Sequence, residues 1–181
     1  MNPVTIIVTE QRRLEIEAAC LRLVTRYCRC IDLHDYEGVL SVFAPDGVWN
    51  HAEKGPLPGQ AAIRAFLTSP ERSNGKALMR HVVSNLQVDI VDDTHARGVC
   101  YWTAYLAMNV RADGTASARP PVSVGEYHDE FVFDGKEWRT QSLAPLPGLN
   151  GVFVRTPGVV HVVGITGTIA APAPTVLKPS F

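Results

Sequence analysis

The sequence has no excess of charge of either sign. Seventeen Lys and Arg stand against eighteen Asp and Glu, a formal charge of −1. No run of Lys and Arg breaks that balance, so a general attraction to nucleic acid or anionic lipid is not expected. Long apolar runs are missing too. The nearest approach, GVVHVVGITGTIAAPAP in the C-terminal tail, is broken by His, Gly and Pro, so no membrane span is expected. The N-terminus MNPVTIIVTEQRR carries no basic residue ahead of its apolar patch. It also lacks an apolar core of about 7–15 residues, which argues against a secretory signal.

Cysteine occurs without the patterns that give it a metal or a partner. Cys20, Cys28, Cys30 and Cys100 form no CxxC and no Cys/His cluster at zinc spacing. Cys28 and Cys30 would point roughly 200° apart on a helix. Buried thiols in a reducing, cytoplasmic compartment are the expectation. Acidic residues vanish from the tail: between Ala144 and Phe181 the only charges are Arg155 and Lys178. A disordered linker would carry more charge and fewer valines. The expected organisation is therefore one domain over residues 1–150 and an extension over 151–181 that covers the sheet or a subunit interface.

What is present is a helical first part and a stranded second part. From Thr9 to Leu33, Leu14, Ala18, Leu21, Thr25 and Cys28 recur at three- and four-residue steps, with Leu23, Val24, Tyr27 and Ile31 widening the apolar face. Thr9 is placed to cap this helix and Asp35 to cap a second, YEGVLSVF; QAAIRAFL from Gln60 gives a third. His81–Val91 alternates, with Val82, Leu86, Val88 and Ile90 on one side and His81 on the other. Arg97–Val110, Val122–Phe133 and Glu137–Leu143 read as further strands, the last two joined by the hairpin signal Asp134-Gly135-Lys136. Helices followed by long antiparallel strands predict an α+β layer fold. Tyr127, Phe131, Phe133 and Trp138 are assigned to the outer sheet face or a subunit interface.

An aspartate closing the first helix is mildly disfavoured there, because the last carbonyls already present negative charge. Asp32 therefore either faces water or meets a partner, and His81, opening a strand, is the best candidate. A carboxylate accepting from one imidazole nitrogen fixes the tautomer and leaves the other nitrogen as a base. Tyr27 would project nearby as a hydrogen-bond donor to substrate. His51 and His128 are too scattered to assemble a metal site.

The order RYCRCIDLHDYEGVLSVFAPDGVW, PGQAAIRAFL, MRHVVSNLQVDI, GEYHDEFVFDGKEWR resembles the SnoaL-like branch of the NTF2-like superfamily, over about Thr9 to Asn150. The resemblance implies a cone-shaped α+β barrel, with three N-terminal helices packed on a curved, mostly antiparallel sheet around an apolar pocket. It is most similar to a group holding scytalone dehydratase, bile-acid 7α-dehydratase and hexachlorocyclohexane dehydrochlorinase. Those enzymes remove a proton during elimination with a His–Asp dyad and neither metal nor organic cofactor, and they are trimers. Carried over, the dyad is His81 and Asp32, with Tyr27 at the spacing of the bile-acid enzyme's tyrosine. Tyr101, Trp102, Tyr105 and His128 are the expected pocket-lining residues. The dehydrochlorinase arginine near the end of the equivalent strand is replaced here by Val132-Phe133, which speaks against dehydrochlorination.

The function so implied is a cofactor-independent, dehydratase-like lyase on a small apolar or polycyclic hydroxy or keto compound. An isomerase using the same base is the first alternative. A non-catalytic ligand-binding or assembly domain, like the small subunit of ring-hydroxylating dioxygenases, is the other. A homo-oligomer, trimer before dimer, is expected, with a small apolar molecule as the partner.

Overall fold

The computed structural model describes residues 8–51, 54–70, 77–117, 119–149, 155–156 and 159–160. Helix α1 runs Glu10–Asp32, and its N-cap Thr9 accepts the Arg12 N–H at 3.2 Å. His34 adopts a left-handed backbone, φ 57°, and ends the helix where the sequence breaks. Asp35 then caps α2, Tyr36–Val42, accepting the Gly38 N–H at 2.9 Å. A Cβ at Gly38 would lie 2.2 Å from Asp35 Oδ2 and 2.5 Å from Cys30 Sγ, so any larger residue there would make those side chains shift. Helix α3 covers Gly59–Leu67.

The strands are β1 Phe43–His51, β2 Gly55–Pro58, β3 Leu78–Ile90, β4 His95–Ala107, β5 Ser123–Phe133 and β6 Trp138–Leu149. They make one six-stranded sheet in the order β2-β1-β6-β5-β4-β3. Every neighbouring pair is antiparallel except β1 and β6, which run parallel. The hairpin expected at Asp134-Gly135-Lys136 forms, with Asp134 Oδ1 accepting the N–H groups of Lys136 and Glu137.

The expected cone-shaped barrel is corrected by this topology. The sheet ends at β2 and β3, which do not pair with each other, so it is an open mixed sheet with helices packed on it rather than a closed or strongly curled wall. Of the expected 151–181 extension, only Arg155–Thr156 (β7) and Val159–Val160 (β8) are described, as a separate antiparallel pair. The rest lies outside the described residues.

Which face of each element is buried differs from the sequence reading at three places. The packed stripe of α1 is Ile16, Cys20, Val24, Tyr27 and Ile31, while Leu14 and Leu21 are exposed. Both stripes satisfy a helical repeat, and only contact with the sheet selects between them. On β5 and β6, Tyr127, Phe131 and Trp138 are buried core residues and not an outer face. On β3 the alternation changes phase. Ser84 pairs with Tyr101 but Gln87 with Val99, so three steps on β3 match two on β4, with Asn85 at φ 57°. This bulge puts His81 and Val83 on the same, partly buried side as Leu86, Val88 and Ile90.

Candidate active site

Two elements bring the site together: the C-terminal end of α1 carries Asp32, and the edge strand β3 carries His81. The carboxylate meets one residue twice. Asp32 Oδ2 accepts the His81 backbone N–H at 2.8 Å, and Oδ1 lies 2.7 Å from His81 Nδ1. An ionised carboxylate can only accept, so Nδ1 donates to it, and in the neutral imidazole Nε2 is then the nitrogen able to accept a proton. The backbone contact fixes the strand against the helix, and the ring contact fixes the imidazole. Both side chains are largely sheltered, at 11% exposure for His81 and 9% for Asp32. Charge-assisted hydrogen bonds of this kind are among the stronger ones a protein makes.

The pair borders a cavity of about 320 Å³, whose remaining wall comes from Thr25, Cys28, Arg29, Leu33, Arg80 and Val83. Burial and the neighbouring Asp32 hold the Cys28 thiol well above the ordinary thiol range, so it stays neutral. Burial likewise pushes Cys20 and Cys100 up to about 12. All four cysteines are buried and free of disulfides. Among the described residues, no group of three His, Cys, Asp or Glu side chains is placed to hold a metal ion. No described helix is long and apolar enough to cross a membrane.

The other expected site residues are dispersed. Tyr27 is buried in an aromatic cluster, edge-on to Phe43, Trp49 and Tyr127 at centroid distances of 6.3, 5.9 and 6.1 Å. It is not on the wall of the cavity beside the pair. Trp102 is buried, stacks on Tyr127 at 5.5 Å and has its ring centroid 6.3 Å from that of His81. Tyr101 and Tyr105 alternate with Trp102 along β4 and are exposed, at 51% and 39%. His128 is exposed on β5, where its Nε2 lies 2.8 Å from Glu126 Oε2. These three therefore lie on the face of the sheet away from the core and do not line the cavity.

Three residues escaped the sequence reading. Arg29 lies one turn before Asp32 on α1 and Arg80 immediately before His81, and both reach the cavity wall. Their adjacency to the two dyad positions was the only available signal. Asp129, between Tyr127 and Phe131 on β5, is almost fully buried. Burial pushes its pKa to about 7, and among the described residues its one hydrogen bond, from the Ala144 N–H, is long at 3.4 Å.

The SnoaL-like domain profile matches residues 12–144. The chain belongs to the SnoaL-like family. Solved structures similar to this chain include a proposed scytalone dehydratase from Novosphingobium aromaticivorans DSM 12444. It has 19% identity and a TM-score of 0.65, with 88% of this chain and 98% of that one covered. A second is the hexachlorocyclohexane dehydrochlorinase LinA-type3 from Novosphingobium barchaimii LL02. It has 15% identity and a TM-score of 0.62, over 91% and 99% of the two chains. A third, a proposed aromatic ring hydroxylase from Novosphingobium aromaticivorans, has 25% identity and a TM-score of 0.58, over 74% and 94%. Their names carry three different reactions, so a shared SnoaL-like fold does not choose among them. No curated protein matches the chain.

Proposed function

We propose that this SnoaL-like protein is a cofactor-independent lyase in which His81 takes a proton from carbon and the substrate expels hydroxide as water. One observation carries the reading: Asp32 holds the His81 ring through Nδ1 while also gripping its backbone N–H, at the wall of a cavity. In the reaction, Nε2 accepts the proton next to a carbonyl and Asp32 balances the imidazolium that forms. The C–H electron pair becomes the new C=C bond as the C–O bond breaks, and the leaving hydroxide takes a proton from the His81 imidazolium, directly or through water, which restores the neutral base. A volume of about 320 Å³ is at the small end for ligand sites, which favours a compact substrate over a polycyclic one. Burial among aromatic rings gives Tyr27 a packing role in this reading rather than that of an acid.

Proton return to a second carbon would make the same base an isomerase. A non-catalytic binding or assembly role draws support from a different observation: Trp102, Tyr127 and Phe131 fill the space between sheet and helices. A homo-oligomer, trimer first, is supported by apolar side chains left exposed on the sheet, among them Val82, Tyr101 and Leu146. The buried free thiols support a reducing, cytoplasmic setting.

The test is a panel of β-hydroxy ketones and β-hydroxy acids incubated with the protein in D2O and followed by NMR. Wild type is expected to exchange the α-hydrogen and release the unsaturated product, and His81→Ala to slow both by about 10²–10⁴-fold. Turnover surviving His81→Ala within a few-fold would remove the base assignment. Deuterium appearing at another carbon without loss of water means an isomerase. Binding with neither outcome means a binding domain.

A further inference from the structure

We infer that the molecule held beside His81 carries an oxyanion headgroup, a carboxylate or a phosphate, recognised by Arg29 and Arg80. The inference rests on the dyad reading for the location of the reacting carbon, and adds the substrate class. Two arginines, both exposed, line the cavity together with one acidic residue, Asp32. Both Asp32 oxygens accept from His81, one from the backbone N–H and one from Nδ1, and among the described residues neither arginine bonds to them.

Several other arginines of this protein find acids, while among the described residues Arg22, Arg26 and Arg111 form no ion pair. Arg12 meets Glu15, Arg13 meets Glu10 and Glu17, Arg64 meets Glu37, and Arg139 meets Asp134 and Glu137. Arg29 and Arg80 are the members of that unpaired group that line the cavity beside His81. Among the described residues the Arg29 side chain has no hydrogen bond or ion pair, and Arg80 reaches only the carbonyl of its neighbour Met79. Arg29 also sits in the last turn of α1, where a cation suits the helix dipole. That explanation does not extend to Arg80, which comes from the other side of the cavity on an edge strand.

Two arginines without ion pairs, lining one small concavity from two elements, match a planar or tetrahedral oxyanion, which guanidinium groups grip through paired N–H donors. With a carboxylate headgroup, the same groups would also hold the negative charge that spreads onto it as His81 removes the neighbouring proton. An apolar substrate, the expectation from the family resemblance, would leave both cations facing a ligand that offers them no acceptor.

Three probes test this by titration calorimetry: benzoate, phenyl phosphate and the neutral benzamide. At least one anion is expected to bind tenfold or more tightly than benzamide, and the tighter of the two identifies the headgroup. The double variant Arg29→Gln/Arg80→Gln is expected to reduce that anion to the benzamide level, with Arg29→Lys/Arg80→Lys retaining part of the preference. An unchanged near-UV circular dichroism spectrum checks that the variants remain folded. Equal binding of benzoate, phenyl phosphate and benzamide, no binding of any probe, or anion binding that survives the Gln variant would each overturn the inference. Failure of the dyad reading looks different: anion binding persists while His81→Ala leaves α-hydrogen exchange unchanged. Failure of this inference alone leaves His81-dependent exchange on neutral substrates.

Discussion

Asp32 and Asp129 are both largely buried carboxylates, yet one is surrounded by donors and the other is not. Asp32, at the end of α1, receives two short hydrogen bonds from His81. Asp129, in the middle of β5, has among the described residues one long hydrogen bond, from the Ala144 N–H, and lies close enough to Cys20, Cys28, Cys100 and Tyr127 to raise their pKa values. Burial alone therefore does not mark a site. What distinguishes Asp32 is a partner that uses both of its oxygens and a cavity wall that gives a guest access to the pair.

The largest stability effect expected from this contrast is at Asp129. Its folded pKa, pushed to about 7 by burial, lies above the ordinary Asp range. The folded chain then keeps a proton that the unfolded chain has already lost. The group's contribution is fully present below about pH 4 and is lost as pH rises through about 7, by up to about 4 kcal/mol. Urea denaturation across pH 4–8 should show Asp129→Asn gaining on wild type over that interval. Parallel profiles would mean that Asp129 is already ionised in the fold.

Asp32→Ala is expected to act in the opposite direction and less strongly. It leaves the His81 N–H and Nδ1 without their acceptor in a sheltered site, at a cost of about 1–3 kcal/mol. Equilibrium unfolding at a single pH measures this, and a loss under about 0.5 kcal/mol would show that water replaces the carboxylate. The smallest effect is expected from Asp35, an exposed capping carboxylate on the neighbouring helix. Asp35→Ala should cost about 1 kcal/mol through the lost bond to the Gly38 N–H, with no change in α-hydrogen exchange.

The caps and turns were legible because they are local. Thr9, Asp35 and Asp134 each bond to a backbone N–H two or three residues on, so the short stretch contains the whole interaction. The approach of Asp32 to His81 spans 49 positions. Sequence logic could offer it only as one pairing among several, and the family resemblance raised it above the rest. Tyr101, Tyr105 and His128 were misplaced because β4 and β5 carry aromatic or polar side chains on both alternating sets, which leaves the inward set undecided.

By itself the chain determined the extents of its helices, its hairpin turn, its order of helices before strands and the two residue types able to form a dyad. Those follow from periodicity and from hydrogen bonds between near neighbours. Tertiary structure alone decided that the sheet stays open, that the bulge at Asn85 sets the phase of β3, that Asp129 faces inward and that Arg29 and Arg80 share a wall with His81. Each of these depends on which surface of one element meets another, and alternation along a strand or around a helix reads the same from either side.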